Sequence, residues 1–592
     1  MLTDDQGYAD LGCHGNSIIQ TPTIDAFHSR AVRFTQFHVG STCAPTRSGI
    51  LTGLNCNSAG VWHTIGGAAL LRLGVKTLPE VLSENGYATG LFSKWHLGDD
   101  YPYRPHDRGF QETVYHRGGG LTQVSDHWGN DYFNDTFLAN GKPKSYTGYC
   151  TDVFFDEAFQ FFRQHRAEPF CCFITPNAPH SPLNVEKKYR DLYAKDDIPD
   201  ERRRFYGMIT NIDENFSRLE KLLRELNLEE NTILIFSTDN GTATGCDIDD
   251  HQFVTNGFNS GMRGKKASPF EGGHRVPFFL RYPAGGIEAG RDIGTLASYT
   301  DFMPTLLDFC GAKCPVVEGR SLRPLLEDKK TPREFNKRAL VADSQRIPQP
   351  IKWRLSSVMK GEWRLINGRE LYDLSTDPEQ RTDISAKHRP VVADLRAEYE
   401  QWWALCSRQF NEISPTHIGS GKCPQVDLTT QELRNENSDV VYHQGQVRVA
   451  QACVGWWDIF AERTGTHEVI LRRWPAEAGY GITAGIEGFD VDTGPAELIE
   501  PSAITMYRDG KALDVYGAAL QIDGQQWYAD IKKDASHVTF TVKLKKGLHT
   551  LRAWFSGGNN VHRATVISPY YVTIKPAGRT QSKKFMPDSE RT

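Results

Sequence analysis

The chain has 592 residues, with 68 Lys and Arg against 73 Asp and Glu and a formal net charge of −5. That length predicts more than one domain and ample material for a large core, and the slight acidity gives no footing for nucleic-acid binding. No apolar run approaches the ~20 residues of a membrane span, no signal-peptide pattern is read, and the 12 cysteines form no zinc-like CxxC pairs.

In chain order, a short apolar start runs into Asp4-Asp5-Gln6-Gly7, two carboxylates that are either plain turn residues or acids at a strand's C-terminal end. Ser41-Thr42-Cys43-Ala44-Pro45-Thr46-Arg47-Ser48-Gly49-Ile50-Leu51-Thr52-Gly53 follows. Pro45 suits the first turn of a helix that would run through Arg47 and Leu51 and stop near Gly53. Cys43 then sits at or just before a helix N-terminus, with Arg47 one turn along the same face. Taken alone, this is either a buried structural cysteine or a thiolate nucleophile activated by the helix end and Arg47.

Gly86 to Phe92 reads as a strand ending in Ser93-Lys94-Trp95-His96, where Lys94 and His96 alternate with Trp95 and project the same way from extended backbone. Residues 116–134 form a glycine-rich polar-aromatic loop in which Trp128 and Tyr132 either stack on a sugar face or pack on the scaffold. Glu168 to Thr175 is an apolar strand containing Cys171-Cys172, and it leads to His180 in the proline-held loop Pro176 to Pro182. A helix spans about 201–226, and a buried parallel strand over 231–237 ends in Thr238-Asp239-Asn240-Gly241. Two strand ends thus offer Asp4, Asp5, Asp239 and the amide oxygen of Asn240, hard oxygen donors that suit Ca²⁺ or Mg²⁺ rather than zinc. Lys265 and Lys266 precede Glu271-Gly272-Gly273 and another buried strand from Pro277 to Leu280. Cys310 and Cys314 are near enough in sequence to bridge, which spacing alone leaves open.

Composition turns polar and basic around 329–336, a domain boundary, and residues 363–366 and 370–374 read as a hairpin before a helix to about Cys406. Beyond Asn435, runs at 447–449, 467–471, 538–542 and 549–555 alternate with turn clusters in the pattern of an all-β sandwich.

The stretch from Cys43 to Gly53 resembles the signature of the type I sulfatases of the alkaline-phosphatase superfamily. Thr3-Asp4-Asp5-Gln6-Gly7, Ser93-Lys94-Trp95-His96-Leu97-Gly98, Ala178-Pro179-His180-Ser181-Pro182 and Thr238-Asp239-Asn240-Gly241 resemble further motifs of that family, in order. Ser93 departs from the family's glycine. The resemblance implies an α/β fold with a mostly parallel central sheet flanked by helices over 1–330, a smaller α+β C-terminal subdomain over 331–430, and an accessory β-sandwich over 435–580 that is a sugar-binding module or a structural cover. Because every matched motif precedes Asn435, the chemistry is expected to survive truncation there. The family places a full apolar strand before the acids, so strand residues are expected upstream of Met1.

For the site, the resemblance implies that Cys43 is oxidised to formylglycine (3-oxoalanine) by a formylglycine-generating or anaerobic maturation enzyme. It further implies that Ca²⁺, with Mg²⁺ as the alternative, binds Asp4, Asp5, Asp239, Asn240 and the oxygen at position 43. Arg47 would assist a hydrated aldehyde in attacking sulfur, Lys94 and Lys266 would hold the sulfate, His180 would serve the leaving oxygen, and His96 would support the formylglycine. Register before Glu271 selects Lys266 over Lys265. The implied activity is hydrolysis of a sulfate monoester on a sulfated glycan, in the periplasm or outside a bacterium. The alternatives are a phosphonate or phosphate monoesterase of the same fold and a non-catalytic sulfated-glycan binder.

Overall fold

The computed structural model describes residues 1–327, 331–488, 504–557 and 565–577. The expected domain ends at 330 and 580 lie outside the described residues. Two mixed five-stranded sheets make the core of the first domain. One runs Leu2–Thr3, Leu234–Thr238, Phe278–Arg281, Val32–Phe34, Asp292–Ile293, and the other Lys142–Ser145, Thr136–Ala139, Glu112–Tyr115, Ala88–Ser93, Phe170–Thr175. The strands whose ends carry the expected site residues pair in parallel: Thr3 lies opposite Thr238, and Ser93 opposite Thr175. Parallel strands buried on both faces demand continuous apolar runs, and Ala88–Ser93 is buried along its whole length.

Helices Cys150–His165 and Asp200–Glu225 cover one side with a phenylalanine-rich stripe that includes Phe154, Phe155, Phe205 and Phe216. This stripe is the apolar face expected of an amphipathic helix against a sheet. A four-stranded antiparallel sheet follows over Leu340–Asp343, Ser356–Lys360, Trp363–Ile366 and Glu370–Asp373. Its last two strands are the expected hairpin, and helix Arg389–Cys406 packs on the sheet through Leu395 and Tyr399. Cys310 and Cys314 are free thiols.

The C-terminal region is a sandwich of two sheets. Strand Val538–Leu544 alternates buried and exposed residues along its full length, the period-two pattern of a half-buried strand. Two strands of the sandwich, Thr416–Ile418 and Val426–Thr429, precede the expected start at 435. Both are too short to announce themselves by alternation. The expected run over 447–449 is instead the end of a short helix, Gln444–Arg448, set by a capping box between His443 and Gln446.

Strand Leu2–Thr3 is only two residues long, and beyond it the two main sheets do not meet. A slot of about 650 Å³ continues its line, walled by Leu2, Ile50, Phe162, Phe173, Ile235 and Leu306. Met1 lines the slot as well, and its backbone nitrogen donates to the Ile235 carbonyl at 2.7 Å. An extended apolar segment in that slot would bury roughly 1.5–3 kcal/mol per large side chain. Five alternating Val and Leu residues fused ahead of Met1 are therefore expected to raise Tm, measured by calorimetry, whereas five Gly and Ser residues are not. Equal Tm values for the two fusions would show that the slot does not accept a strand.

Candidate active site

Register brings the acids together. Asp4 and Asp239 each follow the last residue of a parallel strand, and the Asp239 amide donates to the Thr3 carbonyl at 3.1 Å. Carboxylate oxygens of Asp4, Asp5 and Asp239 all lie within 4.8 Å of one another and are buried. Asn240 joins them, its Nδ2 donating to Asp5 Oδ1 at 3.0 Å. Burial, with the neighbouring carboxylate charge, pushes Asp4 and Asp239 up to about 6 despite Lys94 and Arg47. Burial also opposes ionisation of Asp5, but Lys266, His180 and Lys94 together hold it far below the usual carboxylate range.

Three cations meet these acids. Lys94 Nζ pairs with Asp4 Oδ2, and Lys266 Nζ lies 2.5 Å from Asp5 Oδ1. Arg47 donates through Nε and Nη2 to Asp239 Oδ2 at 3.0 and 2.8 Å, and through Nη1 to the Lys94 carbonyl at 2.9 Å. Arg47 thus spends its hydrogen bonds on the acid cluster rather than on position 43. Lys265 points elsewhere, to the Cys246 carbonyl at 3.3 Å.

Cys43 is the first residue of helix Cys43–Thr52, which ends at Gly53 with φ of 66°. Cys43 is 2% exposed and lies near Asp4, Arg47 and Lys266. No side chain caps the helix start, which leaves amide donors and the positive dipole end free for an anion there.

The histidines flank the cluster. His180 Nδ1 donates to the Ser181 carbonyl at 2.6 Å, while Nε2 lies 3.8 Å from Asp5 Oδ2. His96 Nε2 donates to the Thr64 carbonyl at 2.9 Å, and its buried Nδ1 has no hydrogen-bond partner. Burial lowers both rings to about 3, helped at His96 by Lys94 and opposed at His180 by Asp5, so both are neutral near pH 7. Tyr132 and Trp128 are scaffold. Tyr132 is fully buried and donates to the His180 carbonyl at 2.9 Å, and Trp128 packs edge-on against Trp474 of the sandwich.

Two observations fit a hard cation among the acids. Asp4 Oδ1 and Asn240 Oδ1 are buried acceptors without a hydrogen-bond partner, which is costly for polar atoms unless something satisfies them. The donor set is all oxygen, as Ca²⁺ prefers.

Comparison with known proteins bears on the whole arrangement. A protein-family model described as Sulfatase matches residues 1–312, the span that holds every residue of the site. The chain belongs to the sulfatase family. A second model, for the N-sulphoglucosamine sulphohydrolase C-terminal region, matches residues 265–403. Among similar proteins, the N-acetylglucosamine-6-O-sulfatase of Bacteroides thetaiotaomicron is 24% identical over 516 residues, 70% of this chain and 87% of that enzyme. Arylsulfatase J of Mus musculus is 30% identical over 326 residues, covering 52% of this chain and 51% of that one. The crystal structure of Ps i-CgsB in complex with k-i-k-neocarrahexaose is 25% identical with a TM-score of 0.60, over 68% of this chain and 91% of that one.

Ser93, which stands where the family motif has glycine, adopts φ of 93° and buries a hydroxyl without a partner. A side chain held at positive φ costs on the order of 1–3 kcal/mol. Sequence reasoning did not single out Thr64, Gly119 and Gln123, which hold His96 and its surroundings. The Gly118-Gly119-Gly120 run was their one visible signal.

Two outcomes are expected of this sulfatase. Calcium at 100 times its Kd should stabilise the protein by about 2.7 kcal/mol, read as a rise in Tm that Asp5→Ala removes. A rise that persists in the variant would place the ion elsewhere. Ser93→Gly should add about 1 kcal/mol in urea unfolding, and a loss of stability would show that the serine is not strained.

Proposed function

We propose that this sulfatase hydrolyses sulfate monoesters of a carbohydrate, with Cys43 matured to formylglycine and Ca²⁺ held by Asp4, Asp5, Asp239, Asn240 and the oxygen at position 43. The observation that carries the reading is the meeting of three buried carboxylates and three cations around Cys43 at an uncapped helix N-terminus. The carbohydrate assignment is supported by the bacterial relative, named for a sulfated N-acetylglucosamine. A formylglycine-generating or anaerobic maturation enzyme would act on Cys43, and the protein would work in the periplasm or outside a bacterial cell.

The chain's own groups then divide the work. Lys94 and Lys266 attract the sulfuryl oxygens, a charge-assisted contact that strengthens as negative charge develops. The helix end stabilises an alkoxide at position 43, with the Arg47 charge, held on Asp239, close by. The bound cation would add positive charge beside those oxygens. His180, whose Nδ1 proton is committed to Ser181, would take a proton from solvent on Nε2 once the anionic ester offsets the burial that keeps the ring neutral, and give it to the departing alcohol oxygen. His96 keeps its Nε2 proton on Thr64 and leaves Nδ1 able to accept one. A hydrated aldehyde at position 43 would supply two oxygens on one carbon, one for attack on sulfur and one for release of sulfate, which a serine lacks.

Peptide mass spectrometry of protein made with a maturation enzyme should show an aldehyde at position 43. Cys43→Ala should fold and release no sulfate from an aryl sulfate, and Cys43→Ser should stop after one turnover with sulfate on the side chain. Undiminished multiple turnover by Cys43→Ala would sink the mechanism. Faster release of phosphate than of sulfate from matched aryl esters would favour the phosphate or phosphonate esterase.

A further inference from the structure

We infer that Gln431, a residue of the C-terminal sandwich region, is a positioning residue for His96. The inference rests on the sulfatase reading for the role of His96, and on geometry for the link between the two.

His96 is confined from two sides. Its Nε2–H is held by the Thr64 carbonyl, which fixes the tautomer and leaves Nδ1 as the acceptor. Its ring face is pressed by Gly119, where an added Cβ would lie 2.2 Å from Cε1 and 2.4 Å from Nε2, so only glycine fits. Both confining segments are fastened to Gln431. The Gly119 amide donates to Gln123 Oε1 at 2.7 Å, and Gln431 Nε2 donates to that same oxygen at 2.7 Å. Gln431 Oε1 in turn accepts from Ser125 Oγ at 2.8 Å. On the other side, the Gln431 backbone carbonyl accepts the Gly66 amide at 2.7 Å, two residues beyond Thr64.

Gln431 is 4% exposed and sits in the short turn Thr430–Glu432 that directly follows sandwich strand Val426–Thr429. That strand pairs over its whole length with Tyr571–Pro576, so the position of the amide is set by the sandwich. Its neighbour Glu432 accepts the Asp99 amide at 3.2 Å, and Asp99 accepts the Gly118 amide at 2.9 Å. The sandwich also grips the glycine loop itself, where the Val124 amide donates to the Tyr442 carbonyl at 2.9 Å. The sandwich thereby holds the walls of the His96 pocket. A catalytic group displaced by about 1 Å loses on the order of a hundredfold in rate, so the consequence is measurable.

The test uses the matured full chain, Gln431→Met and Gln123→Met, which keep length and lose the amide hydrogen bonds. Turnover of a small aryl sulfate is followed together with the ring signal of ¹³Cε1-labelled His96, assigned through His96→Ala. Each variant should melt cooperatively, lose about tenfold or more in kcat with KM for the small ester unchanged, and shift the His96 signal. Gln431→Glu, which keeps Oε1 for Ser125 and loses the Nε2 donor to Gln123, decides the matter if Gln431→Met does not fold. Wild-type kcat with an unmoved His96 signal in the variants, or a loss of kcat without movement of that signal, would overturn the inference. If the wild-type protein releases no sulfate, the assigned chemistry fails, while the ring signal still reports whether Gln431 positions His96.

Discussion

Three carboxylates at the ends of two parallel strands, buried and within 4.8 Å of one another, are the constraint around which the first domain is arranged. Such a cluster is repulsive and poorly hydrated, as the raised pKa values of Asp4 and Asp239 record. An uncompensated buried charge costs several kcal/mol. Compensation comes from Arg47 on a helix, Lys94 beyond a strand end and Lys266 in a loop, each meeting a different acid. The two orphaned acceptors, Asp4 Oδ1 and Asn240 Oδ1, mark what the three cations leave unmet. Charge balance thus ties together elements that are far apart in sequence.

The same arrangement sets the surroundings of Cys43. The helix that begins at Cys43 carries Arg47 one turn on, and the bond from Arg47 to Asp239 fixes how the helix end faces the acids. An uncapped N-terminus is a cost in an ordinary helix. Here it leaves amide donors beside Lys94 and Lys266, a setting in which an anionic group is stabilised from several directions. The serine held at positive φ immediately before Lys94 shows local strain in the same place, where packing on all sides over-determines the backbone.

The sandwich meets this site through packing and hydrogen bonds. Val124 of the first domain lies in the same apolar cluster as Trp457, Trp474 and Phe555, and Trp128 and Tyr132 are consumed by packing and by support of His180. The loop over the histidines is therefore shared property of two regions, with its glycines against the rings and its outer side chains against the sandwich.

The sequence by itself determined the local elements and the residue types that meet at the site. Continuous apolar runs marked the buried strands, Pro45 and Gly53 marked the helix at Cys43, and acids, lysines and histidines stood directly after strand ends, where short-range backbone geometry governs. Tertiary structure alone decided the rest. That Asp4 faces Asp239 depends on a register between strands more than two hundred residues apart. That Arg47 turns to Asp239 depends on where a buried charge finds its partner. Strands as short as Thr416–Ile418 and Val426–Thr429 carry too few residues for a period to show, and they exist because the sandwich pairs with them. The link from Gln431 to His96 passes through amides of Gln123 and Gly119, and although the glycine run was visible its partners were not, because hydrogen bonds between distant loops are specified only once packing has brought them together.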